Sequence, residues 1–133
     1  MPVDPERIAK APLFEGFGSE QLSSIAEKFE EREAHPGEHL SSEGGAGYFF
    51  FVIESGGAIV TRDGQTLAEF GPGDFFGEAA IFRARRRTAT VTATEPTVLF
   101  AMFGADFAKL AAEIPALHAA IEAALDARMP PSG

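Results

Sequence analysis

Four arginines, Arg83, Arg85, Arg86 and Arg87, fall within a stretch of five positions in a chain of 133 residues whose formal net charge is -9. Positive charge gathered locally in an acidic chain points to a small anion. Just upstream, "GPGDFFGEAAIF" sets Gly71, Gly73 and Gly77 around Pro72 and Asp74, immediately before Glu78. Glycines ahead of a helix start let main chain approach a ligand closely, and the unpaired N–H groups of a first helical turn can hold an anion. Arg87 follows Gly77 by ten residues and opens "RTATVTAT", a strand that can fold back across a one-turn helix over "EAAIF". The chemistry on offer is an anion seat of amides faced by a guanidinium. The same glycines also suit an ordinary turn. No Gly-Lys-Ser/Thr follows, so this is not a Walker A loop, and the surroundings are not βαβ, so it is not a dinucleotide fingerprint.

The elements that must carry this seat are legible as punctuation. Between Glu30 and Phe103, short segments rich in Phe, Val, Ile and Thr alternate with "HPGE", "EGGAG", "SGG", "RDGQ" and "GPGD". "YFFFVIES" (48–55) and "AIVTR" (58–62) are joined by Gly56-Gly57, and "AIVTR" and "QTLAEF" flank Asp63-Gly64, a pair suited to a two-residue hairpin. "RTATVTATEPTVLFAMF" reads as two strands turned at Glu95-Pro96. Short, evenly spaced strands fit a jelly roll or Greek-key barrel. Before them, "PERIAKA" and "SEQLSSIAEKF" predict helices, the second with Ser19 as N-cap and Leu22, Ile25, Ala26 and Phe29 on one face. After them, Phe107, Leu110, Leu117, Ile121, Leu125 and Met129 recur at helical spacing, broken at Pro115.

Composition narrows the classes. The length fits one domain with a real core. Thirteen Phe against one Tyr and no Trp supply apolar bulk without polar handles. The absence of Cys excludes a disulfide framework, Cys-ligated metals and a thiol nucleophile. His35 and His39 on "HPGEH" and the distant His118 lack the His-x-His spacing of a cupin metal site, no Ser sits on a nucleophile elbow, and enzyme activity has no support. The first twenty residues hold neither a basic leader nor a long apolar core, and no stretch reaches the roughly 18 apolar residues of a membrane span. The expectation is a cytoplasmic protein with no membrane contact. A negative surface also argues against direct nucleic-acid binding.

The run "FGEAAIFRARRRTATV" resembles the phosphate-binding cassette of the cyclic nucleotide-binding domain family, the module of the catabolite activator protein and of protein kinase A regulatory subunits. Gly77, Glu78, Arg87, Ala89 and Val91 fall in register without a gap, and "PGEHLSSEGGAGYFFFVIESGGAIV" is similar to the family's first hairpins. The resemblance implies a mainly β fold with flanking helices, a jelly-roll or double-stranded β-helix (β-roll). Residues 1–133 would form a single domain, with N-terminal helices over about 5–29, the β-roll over 30–103 with its cassette at 75–91, and C-terminal helices over 104–129. The ligand would be cAMP or cGMP, and no separate cofactor is expected. The implied ligand-binding set is Gly77, Glu78, Ala79, Ala80, Arg86, Arg87, Thr88 and Ala89. Arg87 would pair with the charged exocyclic oxygen of the cyclic phosphate, and the N–H groups of Ala80 and Thr88 would complete the cradle. Glu78, helped by the Gly77 backbone, would accept a hydrogen bond from the ribose 2'-OH. A hydroxyl at the position of Thr88 is associated with guanine in the family and also occurs in cAMP binders.

Ligand capture in the family draws the cassette inward and closes the C-terminal helix, here "IPALHAAIEAALDARM", as a lid. That helix could equally pair two copies as a homodimer, and the output would lie in an effector protein or a larger chain. The alternative from another class is a ligand-free β-roll that docks a partner protein through the 83–87 arginine cluster and the C-terminal helix. Arg83 and Arg85 read as a solvated loop.

Overall fold

Five consecutive apolar residues in "FFFVI" are too many for a strand with one wet face, and their burial shows why they are there. In a computed structural model, which describes residues 3–41, 49–77 and 89–127, they lie in β3 (Phe49–Ser55). Phe50 and Val52 point out of the β-roll into a helical layer, while Phe51 and Ile53 point into its interior. β8 (Thr97–Phe103) repeats the pattern, with Phe100 and Met102 outward and Leu99 and Ala101 inward. The two strands pair antiparallel, Phe51 opposite Ala101 and Val52 opposite Phe100. Burial on both faces makes a continuous apolar run the right sequence for them.

Around this pair the remaining strands form two four-stranded sheets. β1 (Glu30–Ala34), β8, β3 and β6 (Phe75–Phe76) make the first in that order, and β2 (His39–Ser41), β7 (Thr90–Ala93), β4 (Ala58–Arg62) and β5 (Gln65–Phe70) make the second. All pairings are antiparallel. The inner faces enclose Phe51, Ile53, Val60, Phe76, Ala89, Val91 and Leu99, which is the packed interior of the roll. The expected hairpin is present: Asp63 and Gly64 adopt φ of 53° and 79° between β4 and β5, the two positive values of a type I′ turn.

The corner opposite that hairpin is fastened by Thr97. Its buried hydroxyl accepts from the Gly57 N–H (3.1 Å) and shares its single proton between two carbonyl oxygens, the nearer of Glu95 (2.8 Å) and the farther of Gly57 (3.1 Å), tying the β3–β4 turn to the β7–β8 turn. A Cβ on Gly56, whose φ is 91°, would stand 2.5 Å from the Pro96 oxygen and from the Thr97 hydroxyl, so only glycine fits.

Helices cover the outer face of the first sheet. α1 (Pro5–Ile8) starts at Asp4, whose carboxylate caps the Glu6 N–H at 2.9 Å. A 3₁₀ turn (Pro12–Phe14) and α2 (Ser19–Ala26) follow. Ser19 is the first helical residue, and the cap is Gly18, whose N–H donates to Gln21 Oε1 at 3.0 Å. The glutamine closes the helix start from inside, so a side-chain cap at position 19 is not used. α3 (Gly104–Glu113) and α4 (Pro115–Ala127) are separated where Pro115 was expected to break the pattern. Phe107 of α3 stacks on Phe50 of β3, ring centres 4.2 Å apart and planes within 14°, and Leu117 and Ile121 of α4 are buried in the same helical layer. The side chain of Leu125 and the whole of Met129 lie outside the described residues. No described helix is long and apolar enough to cross a membrane.

Candidate functional site

Gly77 closes β6 with φ at 98°, a left-handed conformation that an L side chain resists. The strand it ends is two residues long, yet it is held firmly. Phe76 is fully buried and stacks on Phe51 at 4.9 Å and on Phe70 at 5.6 Å, while Phe75 lies on the helical side against Phe50. At the other end of the expected cassette, Ala89 is fully buried in the interior cluster that holds Phe76. It leads directly into β7, which lies between β2 and β4. The segment from Gly77 to Ala89 therefore leaves the edge of one sheet and enters the middle of the other, with both ends fixed in one apolar cluster. Of the expected ligand-binding residues, Gly77 and Ala89 are placed in this way. Glu78, Ala79, Ala80, Arg86, Arg87 and Thr88 lie outside the described residues, as do Arg83, Arg85 and the one-turn helix expected over "EAAIF".

The glycines ahead of Gly77 serve a different purpose from an anion cradle. The Gly71 N–H donates to Asp74 Oδ2 at 2.8 Å, the Asp74 N–H to the Gly71 oxygen at 3.0 Å, and the Gly73 N–H to the Ile53 oxygen at 2.8 Å. Those donors are engaged within the turn and with β3, so residues 71–74 form a structural turn that delivers Phe75 and Phe76 to the sheet. Sequence alone could not separate this turn from a phosphate loop, because both need glycine.

The histidines are likewise accounted for locally. In the "HPGE" turn the His35 N–H donates to Glu38 Oε1 at 3.1 Å and the Gly37 N–H to the Ala93 oxygen at 2.7 Å. His39 Nδ1 lies 2.9 Å from Thr92 Oγ1 across the β2–β7 pair. Among the described residues no group of three or more His, Cys, Asp or Glu is placed to hold a metal.

The cyclic nucleotide-binding domain model matches residues 31–113, which run from β1 to the end of α3 and contain both anchors of the Gly77–Ala89 segment. The chain belongs to the cyclic nucleotide-binding domain family. Among curated relatives, a cAMP-dependent protein kinase regulatory subunit from Yarrowia lipolytica is 34% identical over 98 residues, 74% of this chain and 26% of that protein. A cyclic AMP receptor protein from Thermus thermophilus is 31% identical over 124 residues, 90% of this chain and 57% of that protein. The solved structure of Thermus thermophilus catabolite activator protein superposes with a TM-score of 0.81 at 31% identity, covering 90% of this chain and 58% of that one. The family's β-roll is thus the fold of this chain, which spans between about a quarter and three-fifths of these relatives.

Two arginines, Arg7 and Arg32, have partners that the sequence reading did not find. Arg7 of α1 binds Glu54 of β3 through Nε (2.7 Å to Oε2) and Nη2 (to Oε1), and its Nη1 lies 2.6 Å from Glu31 Oε1 of β1. Its guanidinium also lies over the Phe100 ring, 5.0 Å from the centroid. Hydrogen bonding to Arg7 holds the Glu54 carboxyl below the usual carboxylate range, against an opposing contribution from burial. Arg32 of β1 covers Phe49 at 4.4 Å, a second cation over an aromatic face. No periodicity announces either pairing.

Proposed function

We propose that this chain is a regulatory domain that senses a cyclic nucleotide, with cAMP the first ligand to test because both curated relatives are named for it. The observation that carries the reading is the pair of anchors: Gly77 at a positive φ and Ala89 sealed in the roll interior bound the segment whose sequence resembles the family's cassette, within the stretch matched by the family's domain. The ligand would sit on Gly77, Glu78, Ala79, Ala80, Arg86, Arg87, Thr88 and Ala89. Arg87 would supply a planar, always ionised partner for the cyclic phosphate, Ala80 and Thr88 its amide donors, and Glu78 the acceptor for the ribose 2'-OH. Binding rather than catalysis is the role, exercised in the cytoplasm.

Transmission runs through the C-terminal helix to an effector, either a partner chain or the rest of a larger protein. By linkage, whatever binds the ligand-favoured position of that helix is favoured by ligand. Leu117 and Ile121 are already covered within one chain, so a homodimer would have to use other faces of α4. Calorimetric titration tests the site. Arg87→Ala is expected to weaken cAMP or cGMP binding by roughly 2 to 5 kcal/mol, the usual cost of stripping one partner from a buried charge pair. Glu78→Gln should penalise ribose ligands more than their 2'-deoxy analogues. Unchanged affinity in the first variant, or equal losses in the second, would remove those assignments.

A further inference from the structure

The Asp63-Gly64 pair that turns the β4–β5 hairpin also brings together two groups able to react with each other. Of the five aspartates, four precede Pro5, Phe75, Phe107 and Ala127, and Asp63 precedes glycine, in a chain without asparagine. A glycine nitrogen has no adjoining Cβ to hinder it, so it is the main-chain nitrogen best able to reach the carboxyl of the residue before it. Both residues are exposed at the tip, and among the described residues nothing lies within 4 Å of where a Gly64 Cβ would stand. The reaction open to the pair is closure of a five-membered succinimide followed by its hydrolysis.

The closed turn opposes this chemistry. Ring closure needs the Gly64 nitrogen to swing onto the Cβ side of Asp63, and the first central position of a type I′ turn holds it nearly opposite. The tip must therefore open, and the pairing around it allows that. β5 is an edge strand of the second sheet, with Gln65, Thr66, Ala68 and Glu69 exposed. A register shift between Val60 and Thr61 separates the pairs nearest the tip, Thr61 with Thr66 and Arg62 with Gln65, from the pairs of Ala58, Ile59 and Val60 beyond it. Opening the tip breaks the first set and leaves the second, which adjoins the roll interior through Ala58 and Val60.

We propose that Asp63 is a site of spontaneous isoaspartate formation, reached by local opening of the β4–β5 tip. The Gly64 main-chain nitrogen attacks the Asp63 side-chain carboxyl carbon, and the nitrogen's proton leaves with the carboxyl hydroxyl as water. Water then adds at the Asp63 main-chain carbonyl and breaks its bond to the Gly64 nitrogen. The chain now runs through the side-chain carbon, and the former main-chain carbonyl has become a free carboxyl. Mass and formal charge are those of the original residue, but the backbone is longer by one methylene. A two-residue turn has no place for it, so the tip cannot close again as it was. No step depends on a nucleotide.

The full chain is incubated at neutral pH in heavy-oxygen water beside a peptide of residues 58–70, which serves as the open reference because an isolated hairpin is at best marginally stable. Both are sampled through the time at which half of the peptide has converted. Peptide mapping with electron-transfer fragmentation should find isoaspartate carrying one heavy oxygen at residue 63 of the full chain, forming about tenfold more slowly than in the peptide, with none at Asp4, Asp74 or Asp106. Thr97→Val, which weakens the fold at a remote corner, should convert at the wild-type rate. No conversion at residue 63, or a rate that rises with the stability lost in Thr97→Val, would overturn local opening. The separated isoaspartyl form should exchange amide hydrogens about tenfold faster than the original at residues 61–66 and equally at 58–60. Unchanged exchange at the tip would overturn the loss of the turn.

Discussion

A single backbone angle sets the entrance to the candidate site. Gly77 holds φ at 98°, so Gly77→Ala should cost about 1 to 2 kcal/mol of stability from backbone strain alone and should weaken nucleotide binding with it, measured by urea unfolding and calorimetry. Thr97 offers a test at a site remote from ligand. Thr97→Val keeps the shape and removes the hydroxyl that joins Gly57 and Glu95, leaving buried backbone groups without that partner, and is expected to lose roughly 1 to 3 kcal/mol with nucleotide affinity unchanged. Glu54 gives a pH dependence whose sign is fixed. Its carboxyl is depressed by Arg7, so its contribution is complete above the ordinary carboxylate range and is lost as pH falls through the depressed value. The stability gap between wild type and Arg7→Met should therefore be present at neutral pH and shrink as pH falls below the ordinary carboxylate range, and a gap that stays constant would contradict this account of the ion pair.

At the scale of elements, the aromatic stack between Phe50 and Phe107 joins Leu110, Leu117 and Ile121 in seating the C-terminal helices in the helical layer. Phe107→Ala removes a fully buried ring and should destabilise the fold by about 3 to 5 kcal/mol, with exchange rising first in α3 and α4, followed by thermal melting and hydrogen exchange. The elements legible in the sequence are those whose cause is local. Asp63-Gly64 fixes its hairpin by its own backbone preferences, the apolar runs of β3 and β8 follow from burial on both faces, and Pro115 divides the last helices. The parts that were not legible depend on partners far along the chain. Arg7 meets Glu54 across 47 residues and Thr97 meets Gly57 across 40, and nothing in the local pattern of any of them points to the other. The same holds at the site. Gly77 is marked by its conformation, whereas Gly71 and Gly73 looked like part of an anion loop until their N–H groups were traced to Asp74 and β3.

For the whole molecule, the acidic balance of -9 sets the background against which any anion must be captured. Diffuse attraction does not help a phosphate here, so affinity has to come from short-range groups in a sheltered seat, and salt should weaken ligand binding only modestly. The two-layer arrangement has a roll interior that holds Phe76 and Ala89, on either side of the candidate segment, and a helical layer packed on the first sheet; under the proposed function the first would bind and the second would report. The measurement that bears most directly on this account is a thermal melt of wild type and Arg87→Ala with cAMP, cGMP and cyclic dinucleotides. At 100 times its dissociation constant a cognate ligand adds about 2.7 kcal/mol, which for a domain of this size raises the midpoint by roughly 8 to 13 °C. Wild type should show that rise with cAMP or cGMP, and Arg87→Ala should lose it at the same concentration. Melting curves for wild type that coincide with and without every one of these nucleotides would contradict the account and favour a β-roll that docks a protein partner through residues 83–87.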